Sequence, residues 1–120
     1  MTETEFNRQM REVLRAQGMR CLHIREADQP GVLDLIVWTV IPLPRTPPRW
    51  LELKIGDEEV RPSQVDFMWG TADPARCIIL RLRGDKKVDL EVPVPDSKGN
   101  FMSHGYIEDF RKFDWANFLF

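Results

Sequence analysis

The chain lacks most of what would announce a partner. Lysine and arginine number 17 against 19 aspartates and glutamates, so the net charge is −2. No bulk basic field marks a nucleic-acid binder, and any contact with a polyanion must be made by a local patch. With two cysteines and two histidines in 120 residues, neither a disulfide framework nor a Cys/His zinc site is expected. Cys21 and Cys77 lie in strand-like apolar runs and read as reduced, buried thiols of a cytoplasmic protein. No stretch approaches the roughly 18 uninterrupted apolar residues of a membrane span, so no membrane association is expected. The N-terminus is polar and acidic, unlike a signal peptide. Internal repeats and low-complexity tracts are missing too. What is present, 42% hydrophobic and 30% charged residues, is the composition of one globular domain over 1–120.

Two stretches organise the rest. Asp34 sits in the run 32–41, which is otherwise apolar or β-branched and reads as a buried strand. A carboxylate in such a run needs a partner. The second run, 49–55, alternates: Leu51, Leu53 and Ile55 on one face, Trp50, Glu52 and Lys54 on the other. If the two strands pair, Asp34 and Glu52 converge on one hard cation, with Lys54 beside them. Carboxylate oxygens and water are what Mg²⁺ prefers. Alone, a Glu-x-Lys on a strand face is most often a solvated or cross-strand ion pair.

The remaining elements follow from periodicity and punctuation. A first helix is expected over 3–17, with Phe6, Met10, Val13 and Leu14 as its apolar stripe. Thr2 and Glu5 form a capping-box pattern, and Gly18 supplies the stop. A strand follows over 19–26, with Leu22 and Ile24 on one face and Cys21, His23 and Arg25 on the other. Residues 27–31 form a turn, and the proline-rich 42–48 a stiff hairpin loop carrying Arg45. Pro62-Ser63-Gln64 starts a short helix. Strands are expected over 75–83 and 88–92, the second a solvated edge. A last helix is expected over 103–118, with Tyr106, Ile107, Phe110, Phe113 and Phe118 on one side, packing on the sheet in preference to a dimer contact. The sum is α/β: a mixed, mainly antiparallel sheet of about five strands flanked by helices.

Gly31-Val32-Leu33-Asp34, then Glu52-Leu53-Lys54, then Gln64 ten residues beyond the lysine, resembles the signature of PD-(D/E)XK nucleases. More narrowly, it resembles the VRR-NUC branch of phage and bacterial proteins related to Holliday-junction resolvases. The likeness covers about 2–83, including the first helix and His23, and fades over 84–120, a C-terminal strand and helix. It implies a restriction-endonuclease-like fold and a Mg²⁺- or Mn²⁺-dependent endonuclease acting on DNA, selective for junctions or other branched structures. The host cytoplasm would be its place if phage-encoded. It further implies Asp34, Glu52, the carbonyl of Leu53 and Glu3 as metal ligands, Lys54 as the residue acting on water and charge, and Gln64 as its positioner. Resolvase relatives cut two symmetric strands, so a homodimer is the expectation. DNA would meet arginines drawn from Arg8, Arg11, Arg15, Arg25, Arg45 and Arg49, with His23 near a phosphate. The acidic loop Gly56-Asp57-Glu58-Glu59 stands where relatives are often basic. It favours one rival, a DNA- or protein-binding module of the same fold that has lost cleavage; a second rival is a plain structural protein.

Overall fold

The alternating runs and the amphipathic first helix become layers of one sheet structure in a computed structural model of the protein. The structure describes residues 1–24, 31–39 and 47–120. Arg25, Arg45, the turn at 27–30, the strand ends expected at 25–26 and 40–41, and loop residues 42–46 lie outside them.

The elements are α1 (Glu3–Ala16), β1 (Met19–His23), β2 (Leu35–Thr39), β3 (Arg49–Ile55), α2 (Pro62–Gly70), β4 (Cys77–Arg83), β5 (Lys87–Pro93), β6 (Phe101–Ile107) and α3 (Trp115–Leu119). The strands lie in sequence order in one six-stranded mixed sheet. Every neighbouring pair is antiparallel except β3 and β4, which run parallel on either side of the α2 crossover. Parallel strands need such a crossover, and a helix provides it.

The parity of each strand decides which layer it feeds. Leu51 and Leu53 of β3, with Ile78, Leu80 and Leu82 of β4, face α1, whose Phe6, Met10 and Leu14 are wholly buried against them. Thr2 caps α1 by accepting from the Glu5 N–H at 3.2 Å, and Gly18 leaves the helix at φ +85°. The opposite parity, Cys77 and Ile79, faces α2 together with Val32, Leu33, Phe67 and Met68. Each such apolar side chain contributes roughly 1.5–3 kcal/mol on burial. Cys21 and Cys77 are free and buried, and burial pushes both thiols up, Cys77 to about 12. Neither is a reactive thiolate near neutral pH. Among the described residues, no helix is long and apolar enough to cross a membrane.

Four expectations need correction. The sheet has six strands, and β5 lies inside it, because β6 covers its outer edge. The helix expected over 103–118 does not form: residues 101–107 are strand, and helix returns only at Trp115–Leu119. The helical spacing of aromatics there is coincidental, since Tyr106 is 59% exposed while Phe110 and Trp115 are buried. Core packing of the C-terminal segment is nonetheless what is found. Gln17 fixes it to α1, donating to the Phe113 carbonyl at 2.6 Å and accepting from the Trp115 N–H at 2.8 Å. In β1 the Cys21 side packs, in keeping with the buried thiol expected there, and Leu22 is 56% exposed.

The fourth correction concerns Asp34, which precedes β2 and is only half-buried. Leu33 packs on the α2 side and Leu35 on the α1 side, although alternation would put both on one face. The chain therefore turns at Asp34 and resets its parity. Gly31 sets up that turn with φ +80°, pressed against α2 so closely that a Cβ would lie 2.2 Å from the Ser63 carbonyl oxygen.

Candidate active site

β2 and β3 pair only as far as Leu35 opposite Leu51. Beyond that point they part, and among the described residues the Leu53 N–H has no strand partner on the β2 side. Asp34 fills the gap: its Oδ2 accepts from the Leu53 N–H at 2.9 Å. In return, the Asp34 N–H donates to Glu52 Oε1 at 3.2 Å. The Asp34 carbonyl accepts from the Ile24 N–H at 3.1 Å, which anchors the turn to the end of β1. In a strand, a residue's N–H and C=O point to the same edge. The Leu53 carbonyl thus opens toward the same gap as Asp34.

Glu52 and Lys54 project from the α2 face of β3, and both are almost wholly buried, at 1% and 5% exposure. Gln64, in the first turn of α2, comes down onto them. Its Nε2 donates to Glu52 Oε2 at 2.7 Å, and its Oε1 accepts from Lys54 Nζ at 3.2 Å and from the Arg61 N–H at 3.0 Å. Lys54 Nζ lies 3.0 Å from Glu52 Oε2. One amide thus holds acid and base in register and completes the helix start.

These groups line an open cavity of about 540 Å³, with Glu3, Glu58, Glu59 and Arg61 on its rim. Five carboxylates face two cationic groups there. Burial, and then the negative charge of Asp34, push the Glu52 carboxyl up to about 8; Lys54 and Gln64 offset only part of this. Glu3 is raised too, by partial burial of its carboxyl and then by Asp34 and Glu58. Both shifts are led by burial, with neighbouring carboxylates adding to it.

The residues expected from sequence divide cleanly. Asp34, Glu52, Lys54, Gln64 and the Leu53 backbone are brought together, and Glu3 stands on the same cavity wall. Among the described residues, no three His, Cys, Asp or Glu side chains are gathered to hold a metal ion. The assembled part is the Asp34–Glu52 pair. His23 lines a neighbouring cavity that shares Glu3 and Asp34. Arg8 is elsewhere: it pairs with Glu12 at 2.8 Å and lines a separate groove with Arg111. Arg49 is spent on structure, donating to the carbonyls of Leu119 at 3.0 Å and Ala75 at 3.2 Å. Arg81, behind the acidic loop, donates to the carbonyls of Gly56 at 2.8 Å and Glu58 at 2.5 Å, and so fixes that loop on the rim.

Sequence reasoning passed over Asn7, which is 5% exposed beside the site. Its signal was the spacing of Glu3, Asn7 and Arg11, which share one helical face. No family model, curated protein or solved structure matches the chain.

Proposed function

We propose that this cavity hydrolyses phosphodiester bonds in DNA, as a metal-dependent endonuclease on a restriction-endonuclease-like core of the PD-(D/E)XK, VRR-NUC type. The observation that carries the reading is the reciprocal lock between Asp34 and Glu52, with Lys54 and Gln64 fastened to the same carboxylate. A structural ion pair needs one acid for one base. Here a second, half-buried acid is held beside the first, and its charge adds to burial in raising Glu52.

The donor set fits Mg²⁺ or Mn²⁺. Its oxygens are hard, its charge is in excess, and Asp34 Oδ1 carries no hydrogen bond among the described residues. Asp34, Glu52 and the Leu53 carbonyl would hold the ion, with Glu3 reaching it directly or through water. Bound there, a divalent cation supplies Lewis-acid polarisation of the phosphoryl group and offsets its charge. Lys54 orients the attacking water and opposes charge developing on the phosphate. Gln64 keeps Lys54 from swinging away. A homodimer would suit a substrate with two symmetric strands.

The test is incubation of the protein with labelled branched and linear DNAs, in Mn²⁺, Mg²⁺ or EDTA. Product in metal but not in EDTA is the expected result, lost in Asp34→Asn. Absence of product from every substrate would refute the proposal. The acidic rim at Glu58 and Glu59 favours one rival, a module that binds without cutting. Metal-insensitive DNA binding without product would support that rival.

A further inference from the structure

We infer that the cavity on the far side of Glu3 and Asp34 is a second phosphate seat for the substrate strand, served by Arg11 and organised by Asn7. The inference rests on the nuclease reading and extends it to the path of the DNA. Glu3 and Asp34 line both cavities, so they form a shared wall, with Lys54 and Gln64 on one side and Asn7, Arg11 and His23 on the other. The second cavity measures about 390 Å³.

Asn7 is almost wholly buried, and its Oδ1 accepts from Arg11 Nε at 2.8 Å. A buried amide is costly unless it does something specific. This one holds an arginine by its inner nitrogen, and among the described residues the outer fork makes no hydrogen bond. Among the described residues, Arg11 makes no ion pair, although two carboxylates line the same cavity. A guanidinium held by Nε presents its remaining donors as the planar fork that matches a phosphate. His23 and Thr4 add donors to the same cavity. The opposite rim carries Glu58 and Glu59 against the single cation of Arg61, an acidic excess that disfavours a polyanion. The electrostatically open route from the carboxylates therefore runs past Arg11. A ligand that spans the shared wall and offers a phosphate on each side is a polynucleotide strand held at an internal position.

DNA affinity in EDTA at several salt concentrations, measured with melting temperature and with cleavage in Mn²⁺, tests the inference. Arg11→Gln should weaken binding about tenfold at low salt and reduce the salt slope by about one phosphate contact. Arg11→Lys should keep the slope while losing part of the affinity. Asn7→Leu should weaken binding about threefold without lowering the melting temperature, as a positioning residue would; a structural one would show the reverse. Arg8→Gln should change neither affinity nor slope. If the parent cleaves DNA but Arg11→Gln and Arg11→Lys bind as it does, the phosphate seat is wrong and the nuclease reading stands. If the parent neither binds nor cleaves DNA, both fall together.

Discussion

Asp34 is tied to the Glu52–Leu53 segment twice: its N–H donates to the Glu52 carboxylate, and its own carboxylate accepts from the N–H of Leu53, next to Glu52. The two carboxyl groups are thus fixed side by side through main-chain bonds. That is why charge and hydrogen bonding at this site can be separated by substitution.

Asp34→Asn is the clean separation. The Asn carboxamide oxygen can still accept from the Leu53 N–H, while burial goes on raising Glu52 and Glu3 and the charge of Asp34 that adds to it disappears. In EDTA the variant should be as stable as the parent, or up to ~2 kcal/mol more stable. The melting gain that the parent draws from Mn²⁺ should vanish. A variant melting far below a metal-insensitive parent would make Asp34 structural.

Glu52 sets a pH dependence with a definite sign. Its carboxyl is at about 8 in the folded protein, against an ordinary value of 4.5. Between those values the folded state holds a proton that the unfolded state releases. Stability from this group is therefore complete below the ordinary value and is lost as pH rises through about 8. In EDTA, the melting temperature should fall across this window. Glu52→Gln should flatten that part of the profile. It should also sit about 1–3 kcal/mol lower in stability, because an amide NH₂ would meet the donors already supplied by Asp34, Lys54 and Gln64. The slope of the profile, rather than its height, is the measurement.

Gly31→Ala and Gly84→Ala should part company. Both glycines have positive φ, +80° and +76°, so alanine costs about 1–3 kcal/mol in backbone conformation at either. Only at Gly31 does the new methyl meet a backbone carbonyl, that of Ser63. Gly31→Ala should lower the melting temperature further and also disturb Asp34 and Gln64, which the contact keeps in register. Equal losses for the two variants would show that the Gly31–Ser63 approach is loose.

These sites were not equally legible in the sequence. Arg49–Ile55 announced itself because its two parities differ in chemistry, leucines against Glu52 and Lys54. The strand expected over 75–83 also forms, and its alternate residues, Ile78, Leu80 and Leu82 against Cys77 and Ile79, feed the two layers. Asp34 was legible as a residue needing a partner, but its turn was not. The parity change between Leu33 and Leu35 depends on α2 pressing against Gly31, a contact 32 residues distant in the chain. Residues 103–107, expected as helix, are strand because that conformation depends on pairing with β5, a partner that aromatic spacing does not reveal. Asn7 was hidden for a similar reason: an asparagine on an amphipathic helix looks like solvent face until its neighbours are placed.

Lys54 offers the most discriminating test, because its charge and its grip on Glu52 have different consequences. Lys54 lowers Glu52 by charge and by hydrogen bond, yet Glu52 still stands at about 8. Lys54→Met keeps the apolar stem in its buried slot and removes both effects. The Glu52 carboxyl must then rise further and stay protonated through neutral pH. A protonated acid is a poor ligand, so Mg²⁺ affinity should fall at pH 7 and recover as pH is raised well beyond 8. Cleavage should behave otherwise: if Lys54 acts on water and phosphate, it stays lost at every pH. Calorimetric Mg²⁺ titrations at pH 7 and at higher pH, beside cleavage assays in the same buffers, separate the two roles. Cleavage returning together with metal affinity would mean that Lys54 serves only to keep Glu52 ionised. Metal affinity lost at all pH values would mean that the carboxylate pair has no hold on a cation without its lysine.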